Sequence, residues 1–244
     1  MEKCIYSGNY KNIFDNEYNR IYFGEEFCEK LIVSKKDIEK YIKSYGDKYK
    51  LTFMTPYVTN YGIKEIKGIL EILNNINNIE VIFNDWGVFN ILKTFKNIKP
   101  ILGRLFSREF RDPRKTCNIP IVPKINSQFV KHLIDEGINR IELDTDVNEF
   151  DINEDLLNNV SFSIYYPFTF ITTSRYCLTQ NFVANDNIRS VRECKYECNK
   201  MLYSLKHNSL KTPIILKGNT FYFGRGVNMK NIHKNINRIV QFGQ

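Results

Sequence analysis

The sequence lacks long apolar runs. No stretch approaches the roughly 18–20 uninterrupted apolar residues that a membrane span needs. The opening MEKCIYSGNYKNIF has no apolar block ending in small residues, so no membrane span and no secretory signal is expected, and the reading is cytoplasmic. The phosphate-binding GxxxxGK[ST], the dinucleotide GxGxxG, the nucleophile-elbow GxSxG and the zinc-protease HExxH are all missing. Histidine is scarce: His132, His207 and His233 are scattered without ligand spacing, and His132, beside Lys131 on a helical pattern, should face solvent. No five basic residues run together. The net charge of +8 therefore reads as a generally basic surface in a Lys-, Asn- and Ile-rich chain rather than as a dedicated nucleic-acid groove. Asp144-Thr145-Asp146-Val147-Asn148 begins like a calcium loop but has Glu149 at the sixth position and Asp155 at the twelfth, which excludes that site.

What is present is a chain of 244 residues, 43% hydrophobic and 14% aromatic, enough for a continuous core. Short apolar runs alternate with helical patterns, the arrangement of repeated βα units. Strands are expected at Arg20–Gly24, Lys50–Met54, Glu80–Phe83, Pro100–Leu102, Arg140–Leu143 and Ser161–Tyr165. Ser34 should cap a helix running toward Tyr45. Ile63, Ile66, Ile69, Leu70 and Leu73 form the apolar stripe of a second helix. Trp86, Val88, Phe89, Leu92 and Phe95 suit a third, and Phe129, Val130, Leu133 and Ile134 a fourth that stops near Gly137. The expectation is one TIM-barrel-like (β/α) domain over 1–244. An eight-unit barrel typically takes about 250 residues, so the barrel is complete or incomplete at this length. Residues 172–207 read as a loop region, Pro213–Leu216 and Thr220–Phe223 as a hairpin around Lys217-Gly218-Asn219, and Ile232–Val240 as a closing helix.

The chemistry lies in six cysteines: Cys4, Cys28, Cys117, Cys177, Cys194 and Cys198. Cytosolic thiols stay reduced, so grouped cysteines there are more often ligands or catalysts than disulfides. Cys194 and Cys198 can reach one metal centre from a single turn of chain, and an ordered loop can bring in Cys177. A fourth ligand is needed. Cys28 lies just past the strand at Arg20–Gly24, and residues past the carboxyl end of a barrel strand face the functional rim. Thiolates are soft ligands that select zinc or an iron–sulfur cluster, and spacing alone leaves the two equally open. Cys4 and Cys117 read as incidental or buried. A second segment, Leu102-Gly103-Arg104 with Arg108 and Arg111-Asp112-Pro113-Arg114, would also lie at the rim. There Arg104, Arg111 and Arg114 could clamp a small anionic substrate, or Asp112 could pair with its arginine neighbours. Asp85 either lines the same cavity or caps the helix that begins at Trp86, the cap being the stronger reading.

Several segments, in order, resemble the collagenase-like peptidase family (peptidase family U thirty-two). Within that family they are most similar to the iron–sulfur proteins of oxygen-independent ubiquinone hydroxylation, UbiV and UbiU. The segments are Arg20-Ile21-Tyr22-Phe23-Gly24-Glu25-Glu26-Phe27-Cys28, Asn84-Asp85-Trp86-Gly87-Val88, Ser174-Arg175-Tyr176-Cys177, Cys194…Cys198 and Leu216-Lys217-Gly218-Asn219. The resemblance implies a barrel-like fold and a 4Fe-4S cluster on Cys28, Cys177, Cys194 and Cys198. It also implies a role in hydroxylating a quinone precursor or an RNA base, and a homologous subunit as heterodimer partner. The competing expectations are a peptidase, for which no catalytic pair can be named, and a zinc-stapled binding module without catalysis.

Overall fold

A computed structural model of the protein describes residues 1–7, 17–107, 125–144, 150–184, 193–224 and 232–243. Seven strands lie side by side and parallel: β1 (Glu2–Tyr6), β2 (Arg20–Gly24), β3 (Lys50–Met54), β4 (Glu80–Phe83), β5 (Lys99–Leu102), β6 (Arg140–Leu143) and β7 (Ser161–Tyr166). The chain then leaves the barrel for a four-stranded antiparallel sheet. Its members are β8 (Phe168–Thr173), β9 (Tyr203–Leu205), β10 (Ile214–Lys217) and β11 (Thr220–Gly224), in the order β8-β11-β10-β9. It returns as β12 (Ile236–Phe242), which pairs in parallel with both β7 and β1 and closes an eight-stranded barrel. The barrel is complete.

Two expectations are corrected. Ile232–Val240 is not a helix: Ile236–Phe242 is the eighth barrel strand. Ile232, Ile236, Ile239 and Val240 fall at helical spacing, yet Ile236, Arg238 and Val240 are the buried positions, a period of two. The ladders to β1 and β7 decide between the two periods, because β-branched residues in a strand buried on both sides fit either pattern. The loop region 172–207 also carries the end of β8, a helix and β9.

The outer layer forms as the periodicity dictates. Helix α1 (Lys35–Tyr45) starts at Ser34, whose hydroxyl accepts the Asp37 N–H at 3.2 Å. Helices α2 (Asn60–Leu73), α3 (Trp86–Leu92), α4 (Ser127–Asp135) and α5 (Glu154–Leu157) follow, and α6 (Leu178–Ala184) belongs to the insertion. Alternation along β2 sends Ile21 and Phe23 outward into the main core against the helices. Tyr22 points inward to meet Cys4, Met54, Ile82, Ile101, Tyr165 and Val240. Burying both faces of a parallel strand is what makes these strands read as continuous apolar runs.

At the amino end of the strands, Arg20, Arg238, Glu2 and Glu80 form a closed ring of ion pairs. Arg20 meets Glu2 at 3.1 Å and Glu80 at 2.9 Å, and Arg238 meets the same two carboxylates at 2.7 and 2.8 Å. Two cations and two anions balance, so this end is plugged by its own charges. A concavity of about 1170 Å³ opens beside it, lined by Arg20, Lys50, Glu80, Lys99 and Arg140 among others, at the face opposite the thiols. Among the described residues, no helix is long and apolar enough to cross a membrane.

Candidate metal centre

The thiols collect at the carboxyl end of the barrel, under the antiparallel sheet. Strand β2 ends at Gly24, whose φ of +102° and whose position both demand glycine: a Cβ there would lie 2.5 Å from the Met54 carbonyl oxygen. The chain turns sharply, and Glu25 Oε1 accepts the N–H groups of Glu26 and Phe27, each at 3.1 Å. Glu26 then points into the barrel, Phe27 packs on Phe170 at 4.8 Å, and Cys28 follows, half-buried. Cys177 precedes α6, and Cys194 and Cys198 flank a left-handed Tyr196 (φ +59°) ahead of a 3₁₀ turn at Glu197–Asn199.

A two-residue turn holds these segments together. Asn219, between β10 and β11, donates from Nδ2 to the Phe27 carbonyl and to the Ser174 carbonyl, both at 2.7 Å, tying the Cys28 loop to the Cys177 loop. Gly218 O accepts the Thr179 N–H at 3.1 Å. Gly218, at φ +63°, also lies against Cys198: a Cβ added there would sit 3.7 Å from its sulfur. One turn thereby fixes the chain around Cys28, Cys177 and Cys198. The sequence marked Lys217-Gly218-Asn219 as a hairpin turn and as part of one segment of the family resemblance, and nothing local identifies Asn219 as the clamp.

The four sulfurs are close enough for their charges to act on one another: Cys28 with Cys177 and Cys198, Cys177 with Cys194, and Cys198 with both Cys177 and Cys194. Burial is the dominant influence on each shifted thiol, because it penalises the charged form. It pushes Cys28 up to about 12, with Glu25 adding to the rise and the Lys30 N–H opposing it. Cys198 rises to about 11, through burial and then the neighbouring thiols. Cys177 is also raised, by burial first, while the N–H groups of Gln180 and Thr179 pull the other way. Backbone donors at sulfur and a lysine near Cys198 (Lys217) are the surroundings a thiolate needs. Among the described residues, no three His, Cys, Asp or Glu side chains already meet closely enough to hold a single metal ion.

Beside the thiols lies a cavity of about 240 Å³. Cys28 and Cys198 contribute to its lining, Tyr6, Phe168, Tyr222 and Phe242 supply aromatic wall, and Glu25 and Lys217 supply polar groups. Burial raises the Glu25 carboxyl above its ordinary range, against the pull of the Phe27 and Glu26 N–H groups and of Lys217.

The other sequence candidates fall elsewhere. Arg104 is fully buried with its fork turned onto the protein's own carboxylates. Its Nε donates to Glu26 Oε1 at 2.9 Å, Nη2 pairs with Glu26 Oε2, and Nη1 reaches Asp144 Oδ1 at 2.7 Å. The guanidinium lies 3.7 Å over the Tyr165 ring. Arg104 thus plugs the carboxyl end of the barrel, bridging β2, β5 and β6. Asp85 caps α3, its Oδ1 accepting the N–H of Gly87 at 2.7 Å and of Val88 at 3.4 Å, while Oδ2 accepts the Val58 N–H. Arg108, Arg111, Arg114 and Cys117 lie outside the described residues. Cys4 is buried inside the barrel, where desolvation holds its thiol protonated. His132 and His207 are exposed, and His233 packs on Phe150 at 5.0 Å.

No protein-family model matches the chain, and no curated protein and no solved structure matches it significantly.

Proposed function

We propose that the protein is an iron–sulfur protein whose 4Fe-4S cluster is held by Cys28, Cys177, Cys194 and Cys198. Its resemblance is to the ubiquinone-hydroxylation branch of the collagenase-like peptidase family (peptidase family U thirty-two). The supporting observation is that four cysteines, spread over 171 positions of sequence, lie near one another at the carboxyl end of a barrel, with the chain around Cys28, Cys177 and Cys198 fixed by one turn. Soft thiolates with N–H donors at sulfur suit iron–sulfur ligation. When bound, such a cluster supplies one-electron transfer. The chain's own residues do the rest. The aromatic side chains around the cavity exclude water and accept a flat or apolar group, Lys217 offers a cation to an anionic one, and Glu25 presents a carboxyl at the cavity edge. Hydroxylation of a quinone precursor or an RNA base is the reaction the resemblance suggests.

A zinc staple is the second reading, favoured by the same soft donor set. It requires the sulfurs to close to about 3.8 Å from one another, the edge of a tetrahedron with Zn–S of about 2.3 Å. Anaerobic purification with iron, sulfide and zinc quantification separates the two. The expectation is about four irons with matching sulfide per chain, charge-transfer absorption in the visible, and a large loss of both in Cys194→Ser. One zinc per chain without iron would overturn the cluster, and full iron retention by Cys194→Ser would remove that ligand.

A further inference from the structure

The polymer around the thiols is more basic than the rest of the chain. The described residues 174–184 and 193–217 hold six Lys and Arg against two Asp and Glu, a net +4. Arg175, Lys195, Lys200, Lys206 and Lys211 are exposed. Among its described residues the same stretch exposes four large apolar side chains: Tyr176 (54%), Tyr196 (49%), Met201 (44%) and Leu202 (62%). Each lies within four residues of a thiol. Tyr176 adjoins Cys177, Tyr196 stands between Cys194 and Cys198, and Met201 and Leu202 follow Cys198 by three and four. Leu202 lines the cavity together with Cys28 and Cys198. Tyr196 keeps its ring there from a left-handed backbone, a conformation that costs a non-glycine residue about 1–2 kcal/mol. Such outliers concentrate at functional surfaces.

We propose that this face is the docking site of a small acidic electron-carrier protein, which passes single electrons to the centre held by the four thiols. The proposal rests on the iron–sulfur reading. The excess of cations selects an acidic partner and steers its approach. Met201 and Leu202 favour a protein over a nucleic acid: aliphatic side chains gain by excluding water against another protein, whereas bases are held by aromatic stacking and phosphates by cations. A few apolar side chains ringed by charge match the small, fast-exchanging encounters of electron-transfer partners, which bury under about 1,200 Å². In the transfer the carrier is oxidised by one electron and the centre is reduced by one. No bond forms or breaks, and no proton needs to cross.

The test uses the anaerobically purified full chain and flavodoxin as the acidic probe. Stopped-flow bleaching of the centre by reduced flavodoxin should slow about tenfold from low to high ionic strength. Binding of oxidised flavodoxin should weaken over the same range. The double variant Lys195→Glu, Lys200→Glu should lower both the low-salt rate and the affinity roughly tenfold at unchanged iron content. Lys131→Glu, an exposed site on the outer helix α4, should leave both unchanged. A salt-independent rate, or equal effects of the patch and α4 variants, would overturn the docking site. Capture of single-stranded poly(U) by the patch with flavodoxin ignored would overturn it in favour of nucleic acid. A preparation without iron or sulfide would fail the cluster reading alone, because binding of the oxidised carrier still decides the docking.

Discussion

Glu142 offers a stability measurement whose size follows from its surroundings. The side chain is fully buried inside the barrel, its Oε1 accepts the Tyr22 hydroxyl at 3.3 Å, and among the described residues no donor meets its Oε2 in full hydrogen-bond geometry. Burial drives its carboxyl from 4.5 up to about 6, against the pull of Arg238, Arg140 and the Ser163 hydroxyl. The folded value lies above the unfolded one, so folding takes up a proton between these limits and stability rises as pH falls from about 6 toward 4.5. At about 1.36 kcal/mol per pH unit, the ionised side chain costs the folded state about 2 kcal/mol at pH 7.5. Glu142→Gln keeps the shape and removes the charge, while its amide adds a buried donor that returns about 1 kcal/mol if unpaired. The decisive quantity is therefore the pH dependence of the difference between the two proteins. Urea unfolding followed by far-UV circular dichroism should show the variant gaining about 2 kcal/mol relative to wild type between pH 4.5 and 7.5. That corresponds to about 4–8 °C in melting temperature for a chain of this size. A difference that stays constant across this range would refute the assignment of the buried charge to Glu142.

Two further outcomes test the carboxyl end of the barrel. Arg104→Met leaves Glu26 and Asp144 buried without their cation, and breaking such a cluster from one side should destabilise by about 3–5 kcal/mol. A loss under about 1 kcal/mol in the same urea assay would mean that Arg104 is not what pairs them. Asn219→Ala removes two 2.7 Å hydrogen bonds to the carbonyls of Phe27 and Ser174. At about 1–3 kcal/mol for each buried group left unmade, it should cost at least about 2 kcal/mol. It should also lower the iron-to-protein ratio, although residue 219 is not a ligand. Full iron content with unchanged stability would break the link between the turn and the thiols.

The sequence was legible where short-range pattern and final structure agree. Strands β2, β3, β4 and β6 match their apolar runs residue for residue, because each is buried on both faces and bounded by turn or cap residues. Strand β1 escaped because Cys4 is its only fully buried position, the rest being exposed or half-buried. Strand β12 escaped because its three aliphatic residues, with Ile232 ahead of them, satisfy two periods, and only pairing with chain more than 70 residues away selects one. The thiols were legible as types: a C-x₃-C pair, a nearby third and one residue beyond a strand end. What surrounds them was not. Arg104 has the composition of an anion clamp, and its partners Glu26 and Asp144 stand 78 and 40 residues away. Asn219 has the composition of a turn, and the carbonyl it holds at Phe27 is 192 residues away.

The two ends of the barrel treat charge differently, and that difference separates support from chemistry. At the amino end, two arginines and two glutamates satisfy one another across β1, β2, β4 and β12. At the carboxyl end, Arg104 with Glu26 and Asp144 places one cation against two anions beneath the site. Above it, burial keeps Cys28 and Cys198 protonated until something displaces their protons. Loading a soft metal centre there converts thiols to thiolates and releases protons, adding negative charge to a floor that is already anionic. The compensating positive charge comes from the described residues 174–184 and 193–217, which carry three of the four cysteines and a net +4. Three candidate ligands and their counter-charge thus arrive on one continuous piece of chain, inserted between β7 and β12, which still pair in parallel to close the barrel.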